Sequence, residues 1–487
     1  MSFLDFRLKP LVVQRQLQAF SAWDKNANLR DALDRKDLLG AHGAATAVLA
    51  RRLRERQGPE PPVSLPYPKD SGAYRQTFLL DPYDDIYYAL LASSAAPSVQ
   101  RGLPGSDVVL STRFLPQAGG VFAAEDWRAA NRRRGIVDRS GRLPFGGLDV
   151  QDQYLTTSPG VVVTALNTCQ TPTFVVEEVV AFLEGLSSWP TGPIGLAAGP
   201  MASALFGTVS LLPVDRLLAR LGVTYERWVD DIVIQCLGES HFETTVEAVD
   251  TQLRYRNQSL NRDKTWFEDA REAPLASQWA DTSFDNSDDE VSLAALERAV
   301  EEANAPRCRF ILGGLKWKHD TSAVPFVVHN DDAWRLAPKH SGDYLAASYK
   351  SLTDEQLEEM TDRCARPPQQ NTAAAIAHGG RVLGKRRVPG TLGRYLFDAA
   401  DRASTGEFRA ISPMLYLASS VSKERPKHRH ERAICTAAAV QDLNSQRGLI
   451  AGLKYDTRPR AVERGLDMLS RTRRDLAPTI EWVRAPS

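Results

Sequence analysis

Apolar positions in the first 60 residues recur at helical spacing. Leu11, Val12, Leu17 and Phe20 form one stripe, and the Ala-, Leu- and Arg-rich run 40–53 forms a second. Residues 1–60 are therefore expected to form an N-terminal helical segment. The Pro-rich stretch 58–68, GPEPPVSLPYP, breaks the period and predicts a loop. Residues 69–150 alternate short apolar runs with Pro and Gly, a mixed region. The run GVVVTAL (160–166) is β-branched and follows TTSPG, which predicts a buried strand. Residues 175–186 predict a short helix, and residues 201–221 a longer one kinked at Pro213. Residues 225–229 and 232–236 predict the two strands of a hairpin. Residues 242–254 predict a helix, and 260–267 a turn and strand. The order strand, helix, helix, hairpin, helix, strand is α+β.

Beyond this region the pattern changes. DTSFDNSDDE (281–290) is acidic and poor in apolar residues, and reads as a linker. After it, Leu293, Leu296 and Val300 share a helical face. Thr353 and Gln356 have the spacing of a capping box ahead of Leu357 and Met360. HNDD (329–332) reads as a turn and helix cap, and 373–377, 415–420 and 460–469 as further helices. The expected division is thus 1–60, 61–280, the linker 281–290, and an all-α domain over 291–487. An α-solenoid stays open there, although no sequence repeat is visible.

Composition narrows the picture only at its edges. The chain has 487 residues, 43% hydrophobic and 25% charged, as in a soluble globular protein. Sixty Lys and Arg balance sixty Asp and Glu, so a nucleic-acid surface has to be a local patch. Two basic runs offer one: residues 128–142, with Arg132, Arg133 and Arg134 consecutive, and KERPKHRHER (423–432). The five cysteines form no CxxC pair, which fits a reducing compartment. No apolar run approaches the length of a membrane span and the N-terminus has no apolar leader. A cytoplasmic protein with no membrane contact is expected.

The chemistry concentrates in RWVDDIVIQC (227–236). Asp230 and Asp231 sit between apolar runs that anchor them. Like charges held so close call for a compensating cation, and Mg²⁺ or Mn²⁺ suits hard carboxylate oxygens. The same pair also fits an ordinary solvated turn. Three neighbouring stretches sharpen the reading: GLAAGPMAS (195–203), PVDRLL (213–218) and LNRDKT (260–265).

In this order, over about residues 155–270, the stretches resemble the palm of reverse transcriptases, most closely the bacterial phage-defence (abortive-infection) group. The resemblance implies a palm and fingers over 61–280 followed by the helical domain. It implies DNA synthesis by two-metal nucleotidyl transfer, with or without a conventional template, and a role in antiviral defence. In its terms Asp230 and Asp231 are the metal ligands, and Trp228 stands where Tyr is common. Lys264 meets the triphosphate, and Gly199 and Ser203 line the nucleotide. Arg132, Arg133 and Arg134 contact phosphates. The implied partners are dNTPs, DNA or RNA, a noncoding RNA or partner polymerase, and further copies of the chain.

One departure stands out. The family carries a metal-binding Asp at the end of a hydrophobic strand and an aromatic five residues later. Aligned on VVVTA (161–165), these positions are Ala165 and Gln170. An engineered Asp→Ala change, a naturally degenerate subunit, or a substitute carboxylate such as Asp152 would each account for it. The competing reading is a non-catalytic reverse transcriptase-like subunit that binds nucleic acid or a partner polymerase. A metal-dependent phosphohydrolase would need further His or carboxylate clusters, which the sequence does not offer.

Overall fold

The computed structural model describes residues 8–24, 31, 33, 35–68, 74–105, 107–111, 144–268, 291–365, 390–404, 411–420, 429–454 and 460–485. These are mostly helical, with two small antiparallel sheets, an α+β protein. They fall into two compact units that interleave in sequence. The first draws on 1–23, 53–61 and 83–284, and the second on 24–52, 62–82 and 285–487. The linker expected at 281–290, the helix at 373–377, the run Arg132–Arg134 and most of 423–432 lie outside the described residues.

The elements up to residue 268 are α1 (Pro10–Asp24), α2 (Lys36–Gly40), α3 (His42–Arg54), β1 (Val63–Pro68), β2 (Tyr74–Leu79), α4 (Pro82–Gly102), β3 (Phe145–Asp149), α5 (Gln153–Thr156), α6 (Pro159–Thr168), α7 (Thr173–Ser187), α8 (Met201–Ser210), α9 (Leu212–Arg220), β4 (Tyr225–Trp228), β5 (Asp231–Gln235), α10 (Glu239–Arg254) and β6 (Trp266–Glu268).

The first unit is organised on a four-stranded antiparallel sheet in the order β4-β5-β3-β6. Side chains alternate across a strand, so each strand has a core side and an outer side. Leu148, Val150, Ile232 and Ile234 project to the core side. There they pack on Val214 and Leu218 of α9 and on Phe242, Val246, Val249 and Leu253 of α10. The α10 residues recur at helical spacing and form its apolar stripe. Helix α8 is buried along its whole length, which explains why its sequence is apolar or small all round. The stretch Met201–Arg220 is apolar enough to cross a membrane by length and composition, and 83% of that window is buried inside the protein. Tyr88 of α4 is stacked between Phe182 of α7 and Phe206 of α8, with ring centroids 4.9 and 5.5 Å away.

Two expectations change. Residues 160–166 are helix α6, not a strand. Ser158 caps the helix by accepting from the Val161 N–H, and Pro159 occupies its first turn. The buried positions Val162, Ala165 and Leu166 follow the helical period, so packing overrides the β propensity of the three valines. The strand beside the hairpin is instead β3, FGGLD. Its glycines are dictated by close approach: a Cβ on Gly146 would collide with Phe242, and one on Gly147 with the Trp266 indole. The loop expected at 58–68 also gives way, because Val63–Pro68 pairs antiparallel with β2. Its prolines are tolerated in a two-stranded sheet that has open edges. The expected break near Pro213 is present: α8 ends at Ser210, and α9 begins at Leu212 with Pro213 in its first turn.

From residue 291 onward the described residues are helical: α11 (Leu293–Glu301), α12 (Ala305–Lys318), α13 (Val324–His329), α14 (Asp331–Leu336), α15 (Pro338–Ala347), α16 (Asp354–Ala365), α17 (Gly390–Ser404), α18 (Ser412–Ser420), α19 (Arg429–Ala439), α20 (Leu443–Ala451), α21 (Arg460–Thr472) and α22 (Ala477–Arg484). The capping box forms as read: the Thr353 N–H donates to Gln356 Oε1 at 2.9 Å, and the Gln356 N–H to Thr353 Oγ1 at 3.2 Å. Asn330 caps α14 by accepting from the Ala333 N–H. Charge explains why residues 24–52 join this unit. Arg447 of α20 is buried and donates to Asp37 at 2.6 and 2.8 Å and to Asp31. Burial pushes the Asp31 pKa up, but Arg447 and Arg35 outweigh it and hold the carboxyl below its usual range.

Candidate functional site

The register of the sheet sets Asp149, the last residue of β3, directly opposite Asp231, the first residue of β5. Both lie on the outer side, away from Leu148 and Ile232. Like charges directly opposite destabilise a sheet, so this pairing is not explained by packing. A lysine meets it: Lys264 Nζ stands 3.2 Å from Asp149 Oδ2, with the Asp149 side chain 11% exposed and that of Lys264 61%. Trp266 covers the gap at Gly147 on the same side and meets Phe145 edge-on at 5.6 Å.

Backbone bonds bring Lys264 there. The Asn261 N–H donates to the Asp149 carbonyl at 2.8 Å, and the Gln151 N–H to that of Ser259 at 2.9 Å. Asp250 of α10 fastens the other side, accepting from the Leu260 N–H at 3.0 Å and from Arg262 at 2.9 Å. The LNRDK segment is thus stitched along the end of β3.

Asp230 occupies the hairpin turn beside Asp231. The preceding Val229 has φ 53°, the left-handed region that a β-branched residue rarely enters. Two contacts hold it: its N–H donates to Ser111 Oγ at 3.0 Å, and its carbonyl accepts from Arg227 Nη1 at 3.1 Å. Arg227 is fully buried and forks onto Asp215, with Nε–Oδ1 and Nη2–Oδ2 both 2.7 Å. Nη2 also donates to the Thr208 carbonyl at 2.9 Å, and the Tyr225 hydroxyl to Asp215 Oδ1 at 3.0 Å. Burial pulls the Arg227 pKa down, but Asp215 more than reverses this and Asp230 adds to it, so the guanidinium stays charged. A buried ion pair therefore anchors the strained turn that carries Asp230.

The other sequence-predicted residues separate into three groups. Asp231 and Lys264 come together at Asp149, and Asp230 occupies the turn next to Asp231. Ala165 does not join them: it is buried in α6, and the strand-end residue facing Asp231 is Asp149. Gln170 follows α6 in the left-handed region (φ 56°), where its N–H donates to Asn167 and that of Thr171 to Leu166. It is the left-handed residue just past the cap of a Schellman motif, a place usually taken by Gly. Asp152 is exposed and leads into α5 with φ 44°. Ser203 is fully buried and donates to the Tyr88 hydroxyl at 3.2 Å, so it packs α8 against α4. Gly199 has φ 126°, which requires glycine there.

Sequence reasoning missed Asp149, Asp215 and Arg227 as parts of this arrangement. A signal was present: FGGLDVQDQY ends an apolar, Gly-rich run in Asp and places an aromatic, Tyr154, five residues on. The Tyr154 carbonyl accepts from the Leu196 N–H at 2.7 Å, and Gly195 lies so close to the carbonyls of Tyr154, Leu155 and Thr157 that a Cβ would clash. The Gly-rich loop is therefore seated on the segment that follows β3.

Among the described residues no group of three or more His, Cys, Asp or Glu side chains converges as a metal cage. Two opposed carboxylates remain a donor set that Mg²⁺ uses when substrate phosphates complete its shell. No family model and no curated protein matches the chain.

Proposed function

We propose that this chain is a reverse transcriptase-like nucleotidyltransferase of the phage-defence type, with the sheet β4-β5-β3-β6 as its palm. The observation that carries the reading is the opposition of Asp149 and Asp231 across adjacent strands, with Lys264 against Asp149. The motif order supports it, now with Asp149 and Tyr154 in the places first assigned to Ala165 and Gln170. In this reading Ala165 no longer argues for a non-catalytic subunit.

In this reading Asp149 and Asp231 hold divalent metal together with the nucleotide's phosphates, and Asp230 adds negative charge at the turn. The metal, when bound, activates the attacking hydroxyl and steadies the leaving pyrophosphate. Lys264 neutralises Asp149 in the resting protein and is exposed enough to turn to a triphosphate and meet its developing charge. Tyr154 takes the role of the aromatic that screens the sugar. Substrates are dNTPs, and DNA or RNA, a noncoding RNA, further copies of the chain and a cytoplasmic setting follow from the resemblance.

The test is incorporation of labelled dNTPs with Mg²⁺ or Mn²⁺, with and without primer–template. The chain as given should incorporate label. Asp149→Asn and Asp231→Asn should each lower the rate by about 10²-fold or more, the loss of several kcal/mol of transition-state stabilisation. Ala165→Asp should bring no gain. Incorporation that survives Asp149→Asn, or that needs Ala165→Asp, would overturn the assignment.

A further inference from the structure

A cavity of about 550 Å³ opens between α6, α9 and α10. It is separate from the carboxylates, because α9 and α10 cover the core side of the sheet while Asp149 and Asp231 lie on the outer side. Its floor is apolar, formed by Ala165, Leu212 and Pro213, and Arg216, Arg220 and Arg256 stand around it. Its volume lies within the range of small-ligand sites, roughly 300–1,000 Å³.

Arg216 and Arg220 are exposed to solvent at the cavity's mouth, and Arg256 is partly withdrawn from solvent. Among the described residues none of the three arginines has a carboxylate partner. The nearest acids along their own helices are already engaged: Asp215 holds Arg227, and Asp250 holds Arg254, Arg262 and the Leu260 N–H. Arg256 is half-buried with one long hydrogen bond, 3.4 Å to the Ser210 carbonyl, and burial draws its pKa below the usual value. For Arg256, partial withdrawal from water without a carboxylate partner is a cost that a bound anion would relieve, while Arg216 and Arg220 bring further positive charge to the rim. Guanidinium forks match phosphate oxygens, and an apolar floor suits a base or sugar.

We propose that this cavity binds a nucleoside polyphosphate, with its phosphates on Arg216, Arg220 and Arg256 and its apolar body on the floor at Ala165. The bounded volume favours a free nucleotide over a strand of nucleic acid, which needs an extended track. This site stands or falls independently of nucleotidyl transfer at the carboxylates.

The test is calorimetric titration of the full chain with ATP in EDTA, so that no divalent cation is present. One saturable event is expected, unchanged in Asp149→Asn/Asp231→Asn. Arg216→Ala and Arg256→Ala should each weaken it about tenfold or more, as loss of a charge-assisted bond does, and adenosine should bind far more weakly. Thr164→Trp is the check against misfolding. Thr164 is exposed, and its hydroxyl bonds the Gly160 carbonyl of its own helix, so the indole would block the cavity while the core stays intact. It too should abolish binding. Absence of ATP binding at millimolar concentration, or binding indifferent to the arginines and to Thr164→Trp, would overturn the proposal. An arginine-dependent complex with single-stranded oligonucleotide but not with ATP would also overturn it, in favour of a nucleic-acid site.

Discussion

The ion pair under the hairpin can be tested without knowing any substrate. Replacing Arg227 by Met leaves Asp215, 1% exposed, with the Tyr225 hydroxyl in place of a fork of two 2.7 Å bonds. Breaking a buried pair from one side costs about 3–5 kcal/mol, because a charge is stranded out of water. Asp215→Leu strands Arg227 in the same way and should cost a similar amount. The double variant strands neither charge. It still leaves the buried Thr208 carbonyl without the bond it receives at 2.9 Å, about 1–3 kcal/mol. The double variant should therefore be more stable than either single variant, with a coupling energy above about 3 kcal/mol. Denaturant unfolding gives the stabilities. Hydrogen exchange followed by mass spectrometry gives the location: peptides over Tyr225–Gln235 should lose protection, and those over Leu443–Ala451 should not. Single variants that cost less than about 1 kcal/mol, or a double variant equal to their sum, would refute the reasoning.

Two further predictions concern the helical unit. Thr353→Ala removes half of the capping box and should destabilise α16 by about 0.5–2 kcal/mol, read as faster exchange in its first turn. Burial, with Lys339, Arg309 and Lys316 nearby and only Asp343 opposing, lowers the His340 pKa from 6.5 to about 4. Its folded-state pKa lies below the unfolded one, so the stability it contributes is whole above pH 6.5 and is lost as the pH falls towards 4. The loss is at most about 3 kcal/mol. The difference in unfolding free energy between the protein and His340→Gln should shrink across that window, and a pH-independent difference would rule the account out.

Elements with a strong local signature were legible in the sequence. The capping box, the hairpin, the break near Pro213 and the apolar stripe of α10 each follow from a few neighbouring residues. Where the local signature is ambiguous, tertiary packing decides between its two readings. GVVVTAL reads as strand by β propensity, yet the Ser-Pro ahead of it and the spacing of Val162, Ala165 and Leu166 specify a helix. The true strand, FGGLD, carries two glycines and no alternation, because Phe242 and Trp266 supply the bulk from elsewhere in the chain. A pattern whose hydrophobic filling comes from residues about a hundred positions away is invisible to local reading. The same holds for Asp31 and Arg447, separated by 416 residues, which assign the N-terminal segment to the helical unit.

What distinguishes the candidate site is that local rules fail there together, and each failure leans on another. Val229 adopts a backbone conformation that a valine resists. Asp149 faces Asp231 where a sheet favours opposite charges or apolar pairs. Arg227 and Asp215 form a buried ion pair, weak evidence for stability in itself, where hydrophobic residues are the rule. Two of these would be relieved by a single change each: a glycine at 229, or an uncharged residue at 149. The ion pair holds the turn, the turn sets Asp230 beside Asp231, and the LNRDK segment brings Lys264 to Asp149. Energy is thus spent consistently on placing three carboxylates and one lysine at the end of a single sheet. Broken local rules clustered in this way mark functional or strained sites, and Asp149 stands at the centre of this cluster.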